Sequence, residues 1–236
     1  MNKGTLFLIP NVISEQTQKL VIPAQVHLLL PSIRHFLAED VRTARRYLSS
    51  LKVYNAIEDL HFDVLNKDTN PGELKLLFHP IYEGLPMGVL SESGCPGVAD
   101  PGALAVKYAH ENDIKVVPLV GPSSILLALM ASGLNGQSFA FHGYLPIESK
   151  AVAKAIRDFE KESRQKDQTQ IFIETPYRSN SLFQSLVNTL NDETLLCIAS
   201  SITGDSEEIR TYPVRKWKSI KMGMDKVPVV FLFHAK

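Results

Sequence analysis

Cysteine is scarce in this chain. Cys95 and Cys197 are the only two among 236 residues, too few and too far apart for a zinc knuckle or a disulfide framework, and a reducing cytoplasm is the natural inference. Neither sign of charge is in excess, with 25 Lys and Arg against 25 Asp and Glu. That balance argues against tight non-specific nucleic-acid binding through charge alone, although a local basic patch stays open. No apolar run approaches a membrane span. The start, Met1 to Pro10, holds too few apolar residues before its proline for a signal peptide and reads as a strand. Also missing are the phosphate loop G-x-x-x-x-G-K, the nucleophile elbow G-x-S-x-G and the zinc helix H-E-x-x-H. Gly94, Gly97 and Gly102 lack dinucleotide-fingerprint spacing, and the seven histidines are scattered, so no metal is expected. There is no internal repeat and no low-complexity segment. With 44% hydrophobic and 21% charged residues, disordered and fibrous classes are excluded.

What is present centres on Val89 to Ala131. An apolar strand runs into Ser91-Glu92-Ser93-Gly94-Cys95-Pro96-Gly97-Val98-Ala99-Asp100-Pro101-Gly102 and then a helix. A second strand breaks at Gly121-Pro122-Ser123-Ser124 before another helix. Such strand-to-helix turns at the carboxyl ends of strands are where open α/β sheets bind ligands, because glycine admits close approach and helix N-termini carry unpaired N–H groups.

The hydrophobic pattern predicts strands at Thr5–Ile9, Ile33–Ala38, His61–Val64, Met87–Ser91, Ile114–Val120, Phe139–Leu145, Thr169–Glu174, Leu195–Ser200, Glu208–Pro213 and Val227–Phe233. Helices are expected over Pro23–Leu30, Asp40–Leu51, Pro71–Gly84, Asp100–Asn112, Ser123–Ser132, Glu148–Arg164 and Arg178–Leu190. Strand–helix alternation in the first half implies an α/β fold with a mostly parallel sheet, and the strand-rich end implies a mixed sheet. Two α/β domains are expected, 1–119 and 120–236, with a ligand cleft between them.

Seven motifs then appear in order: Gly4–Pro10, Ala38–Arg42, Ser91–Gly102, Gly121–Ser124, Ser132–Leu134, Phe141–Pro146 and Glu174–Arg178. Together they resemble the tetrapyrrole methylase superfamily, and within it the bacterial small-subunit ribosomal RNA cytidine 2′-O-methyltransferase family. The resemblance implies two α/β domains, S-adenosylmethionine bound between them, ribosomal RNA as substrate, and a cytoplasmic homodimer. Carried over by position, the cofactor would meet Pro10, Gly94, Cys95, Pro96 and Val98 in the first domain. In the second it would meet Ser123, Ser124, Ile125, Ile173, Glu174, Thr175, Ala199, Ser200 and Pro228.

A ribose hydroxyl is a weak nucleophile and gains from a base, so Glu39 or Glu174 is assigned to orienting or deprotonating it. Asp40 and Arg42 are assigned to the substrate, with Arg42 and Arg178 holding phosphate. Plainer readings stand beside these: Asp40 as a helix cap, Arg42, Arg45 and Arg46 as a solvated helix face, and Glu174 as a strand-end carboxylate paired with Arg178. Cys95 reads as a passive pocket wall. The chain departs from the family at Asn11–Gln16, at Ser91-Glu92-Ser93, at Val41 and at Ala199–Thr203, where an Arg-Glu-Leu-Thr-Lys element is usual. Methylation of a tetrapyrrole precursor, or cofactor binding without catalysis, are the alternatives.

Overall fold

Strand β1 (Thr5–Ile9) is a run of β-branched and large apolar residues halted by Pro10, and it lies inside a five-stranded parallel sheet. Its companions are β2 (His35–Ala38), β3 (His61–Val64), β4 (Met87–Leu90) and β5 (Lys115–Pro118), in the order β3-β2-β4-β1-β5. The computed structural model describes residues 3–220, 223–224 and 227–236. The period-2 alternation of strand side chains divides this sheet's apolar residues between two cores. Ile9, Phe36, Ala38 and Leu90 join the cluster under Val26, Tyr47 and Leu48, whereas Leu6, Leu37, Met87 and Val89 join the cluster under Phe78, Ala105 and Ala109.

Helices α1 (Gln18–Val21), α2 (Ala24–Leu29) and α3 (Val41–Leu51) serve the first cluster; α4 (Leu74–Leu77), α5 (His79–Tyr82) and α6 (Gly102–Glu111) serve the second. Asp40 caps α3, its Oδ1 accepting from the Thr43 N–H at 2.6 Å. The single helix expected over Pro71–Gly84 is instead a 3₁₀ turn (Pro71–Glu73) followed by α4 and α5. Pro80 has no N–H to give a continuing helix, so the chain restarts with that proline in the first turn. Strand β5 ends at Pro118 and not at Val120.

The chain divides into two compact units, Met1–Ser123 and Ser124–Lys236. The second unit holds its own sheet of β6 (Phe139–Phe141), β7 (Thr169–Glu174), β8 (Leu195–Ser200), β9 (Glu208–Pro213) and β10 (Val229–His234), ordered β6-β7-β10-β8-β9. Only the β6–β7 pair is parallel. Strand β6 is shorter than its apolar run, because Gly143 turns the chain at φ +67°. One face of this sheet, with Phe172, Leu196, Ile198, Phe231 and Phe233, packs under α8 (Ser149–Lys166), α9 (Ser179–Thr189) and α10 (Val214–Trp217). Helix α7 (Ser124–Ser132) packs against β8, β9 and β10. The short helices α1 and α10 are not signalled by the sequence pattern. None of the described helices is long and apolar enough to cross a membrane.

Candidate functional site

In the first sheet, β1 and β4 are neighbours whose onward connections run in opposite directions across the sheet, β1 to β2 and β4 to β5. Adjacent strands of this kind leave a crevice beyond their carboxyl ends. Pro10 and Asn11 follow β1, the Ser91–Pro101 loop follows β4, and on either side Glu39 follows β2 and Gly121 follows β5.

Asn11 builds the floor. Its backbone N–H donates to Gly94 O at 2.8 Å, and its Nδ2 donates to Ser91 O at 3.1 Å and Glu92 O at 3.0 Å. Its own Oδ1 accepts from the Val12 N–H at 2.8 Å. With both ends of the amide satisfied, the side chain can be buried at 2% exposure. Behind it, the buried Tyr47 hydroxyl donates to Pro10 O at 2.7 Å, so α3 holds the end of β1, and burial pushes the phenol well above its ordinary range. Gly121 lies so close that a Cβ there would meet Pro10 Cβ at 2.0 Å. Only glycine lets the two chain ends pass.

Asp100 closes the loop into a ring. Its Oδ1 accepts from the N–H groups of Gly97 and Gly102 at 2.6 and 2.7 Å, while Gly97 sits at φ +85°. Its Oδ2 is buried with no hydrogen-bond partner among the described residues. Burial raises the Asp100 carboxyl, against the pull of those backbone donors and of the nearby Ser91 hydroxyl. Glu39 is raised as well, first by burial and then by the negative charges of Glu92 and Asp100, with the Glu92 N–H opposing. Glu39, Glu92 and Asp100 thus lie together at the carboxyl ends of β2 and β4, and among the described residues none of them has an ion-pair partner. Cys95 turns its thiol to Pro122 O at 3.4 Å, and burial together with Asp100 raises its pKa, which suits a wall and not a nucleophile.

In the second unit the sheet register aligns Glu174 with Val229 and Val229 with Ser200. Ile173, Glu174, Thr175, Ala199, Ser200 and Pro228 therefore share one end of this sheet. The Glu174 side chain has no exposed surface; its Oε1 accepts from the Thr175 N–H at 2.7 Å, and its Oε2 lies 3.1 Å from Arg178 NH2. Arg178 also donates to Pro146 O at 3.0 Å. This arrangement is the strand-end ion pair. Ser200 Oγ donates to Glu208 O at 3.3 Å, and the Ser201 N–H to Pro228 O at 3.3 Å. Ser124 and Ile125 open α7, and Ser123 precedes it.

Of the residues singled out in the sequence, Pro10, Glu39, Gly94, Cys95, Pro96 and Val98 all follow carboxyl ends of the first sheet's strands. Asp40 is occupied as the α3 cap, and Arg42 lies on the exposed face of that helix. Asn11, Tyr47 and Asp100 were missed as site residues. Asn11 carries a signal, a polar residue directly after a strand-ending proline, and in the sequence Asp100 reads only as the start of α6. Nothing in the local sequence marks Tyr47. Among the described residues, no group of three His, Cys, Asp or Glu is placed to hold a metal ion.

No family model matches the chain. It is 30% identical over 210 residues to "Ribosomal RNA small subunit methyltransferase I" of Vibrio cholerae, covering 87% of this chain and 69% of that relative. The protein of the same name from Haemophilus influenzae is 31% identical over 203 residues, covering 84% and 68%, and that from Escherichia coli O157:H7 is 28% identical over 214 residues, covering 90% and 70%. Two solved structures share the fold. The methyltransferase CobJ superposes with a TM-score of 0.63 at 16% identity, over 98% of this chain and 94% of its own. Uroporphyrin-III-C-methyltransferase from Thermus thermophilus does so with 0.58 at 15%, over 99% and 93%. At such identities the likeness carries the two-sheet α/β architecture and nothing finer. The sequence relatives carry more, and on their identity and coverage this chain belongs to the ribosomal RNA small subunit methyltransferase I family.

Proposed function

We propose that the protein transfers a methyl group from S-adenosylmethionine to a ribose 2′-hydroxyl of small-subunit ribosomal RNA. The observation that carries cofactor binding is the Asn11-braced, Asp100-closed loop with an unpartnered carboxylate oxygen inside it. S-adenosylmethionine is cationic at sulfur and offers ammonium and hydroxyl donors, so it fits both the orphaned Asp100 Oδ2 and the surplus negative charge of Glu39, Glu92 and Asp100. When bound, it supplies an electrophilic methyl group for in-line displacement.

The chain's own residues do the rest. Pro10, Gly94, Cys95, Pro96 and Val98, together with Ser123, are proposed to present backbone and small side chains to the cofactor. Ser124, Ile125, Ile173, Glu174, Thr175, Ala199, Ser200 and Pro228 are proposed as contacts from the second unit. Glu39 takes the hydroxyl proton, since its raised pKa brings it toward the pH at which a carboxylate is a useful base. Glu174 is already committed to Arg178, so we assign that pair to holding the end of β7 and not to the proton. Arg42 keeps a proposed role on RNA phosphate. The same reading includes work in the cytoplasm as a homodimer, which light scattering on the purified protein measures directly. Methylation of a tetrapyrrole has only the fold likeness behind it.

The test is transfer of labelled methyl to small-subunit RNA from a strain lacking this protein. RNA should be labelled, and Glu39→Gln should slow the transfer by about 10²–10⁴-fold. Label on a tetrapyrrole alone, or on nothing, overturns the reading.

A further inference from the structure

Cations are distributed unevenly over this neutral chain. In the second unit several have acidic partners: Lys154 with Asp158, Lys166 with Glu162, Arg210 with Glu208, Arg215 with Glu193 and Lys218 with Asp192, while Arg157 and Lys161 on α8 are exposed beside Asp158. The Gly204–Glu208 loop, which follows the departed Ala199–Thr203 element, carries Asp205, Glu207 and Glu208. Around α3 the reverse holds. Arg34, Arg42, Arg45 and Arg46 are exposed, and among the described residues none of them is within ion-pair distance of a carboxylate, although Arg42 and Arg46 lie near enough to the α3 cap Asp40 to help lower its pKa.

Two of these four are ordered without a carboxylate. The Arg45 guanidinium lies 5.2 Å from the Phe62 ring centroid on β3, and that of Arg34 lies 5.7 Å from the Tyr54 ring. Tyr54 is itself held, its hydroxyl donating to Leu30 O at 2.5 Å and Ile33 O at 3.1 Å. Holding guanidinium planes in advance lowers the entropy lost on docking. Arg42 stands three residues beyond Glu39, and Arg46 follows one turn later on the same face. An eleven-residue helix is about 16 Å long, so the row tracks from the candidate site along the helix toward Tyr54.

We propose that this arginine face, Arg34, Arg42, Arg45 and Arg46, is the docking surface for the phosphodiester backbone of the RNA strand whose hydroxyl reaches Glu39. Arginine suits it because its planar fork grips phosphate oxygens in pairs and stacks on aromatic rings, and because the contact is to backbone and not to base edges. The proposal rests on RNA being the methyl acceptor.

Fluorescence anisotropy of a labelled small-subunit RNA fragment, titrated across a salt series, tests it. Each phosphate contact contributes about 0.7–0.9 to the slope of log affinity against log salt, so Arg42→Gln with Arg46→Gln should flatten the slope by roughly 1.5. The control pair Arg157→Gln with Lys161→Gln, on the exposed face of α8, should leave it unchanged. Thermal melts check that the α3 variant still folds, which exposed arginines permit. An unchanged slope in the α3 pair, or an equal loss in the α8 pair, overturns the docking face. If the wild-type protein still labels RNA in that event, only the face is wrong; if it labels none, the acceptor assignment fails and the face with it.

Discussion

Two sheet ends in this molecule handle carboxylates in opposite ways, one wholly buried and the others half-buried or exposed. At the end of β7, Glu174 is wholly buried, yet Arg178 and the Thr175 N–H compensate it. Beyond β2 and β4, Glu39, Glu92 and Asp100 lie together with backbone N–H groups and, among the described residues, no ion-pair partner, and the Glu39 and Asp100 pKa values are raised. Buried charge is tolerated when paired and costly when not. One carboxylate thus has an ion-pair partner, and the other three have none among the described residues, which is the arrangement the proposed cofactor site uses.

Substitutions can break or sharpen this contrast. The largest stability effect belongs to the paired end: Arg178→Met strands the Glu174 charge and should cost about 3 kcal/mol in urea unfolding. A loss below roughly 1 kcal/mol would show that the ion pair is not what holds Glu174. Next comes Asn11→Ala, which orphans Ser91 O and Glu92 O together and should cost about 2 kcal/mol. Calorimetry should also show weaker binding of S-adenosylmethionine, because the loop loses its brace. Tyr47→Phe removes one buried hydrogen bond to Pro10 O and should cost about 1 kcal/mol.

The smallest effect has the most telling sign. Asp100→Asn keeps an oxygen to accept from Gly97 and Gly102 but removes the charge. A carboxyl whose folded pKa is raised binds its proton more tightly in the native state, so its cost is absent below the ordinary carboxylate range and grows as pH rises through the raised value. Thermal melts across pH should therefore find the variant as stable as wild type in acid and equal or more stable at neutral pH. With Asp100 neutral, Glu39 loses one repulsive neighbour, and the acid limb of the transfer rate should move to lower pH. A limb that stays in place would separate the two carboxylates.

Much of the fold was legible because strand patterning is local. β1, β3, β7, β8 and β9 run over the residues that alternation and turn signals mark out, and the parallel and mixed characters of the two sheets follow from the order of elements. The failures are local conflicts. Apolar periodicity ran through Pro80, where the missing N–H splits the helix, and through Gly143, where a positive φ ends β6 early. The Gly94–Val98 turn could be read as a ligand loop because glycine and proline after a strand have few other uses. Its closure could not, since Asp100 reaches back three residues to Gly97 only once the loop has curled.

By itself, then, the sequence determined which segments become strands, where they must stop, and which loops could bring backbone to a ligand. Hydrophobic period, β-branching and proline act within a few residues, so their consequences are written in order along the chain. Only the tertiary structure decided that Asn11 would brace a loop some eighty residues away, that Tyr47 would hold Pro10, and that Glu174 would be neutralised while Glu39 was not. Hydrogen bonds and charge interactions depend on distance through space, and strand order, not sequence separation, sets that distance.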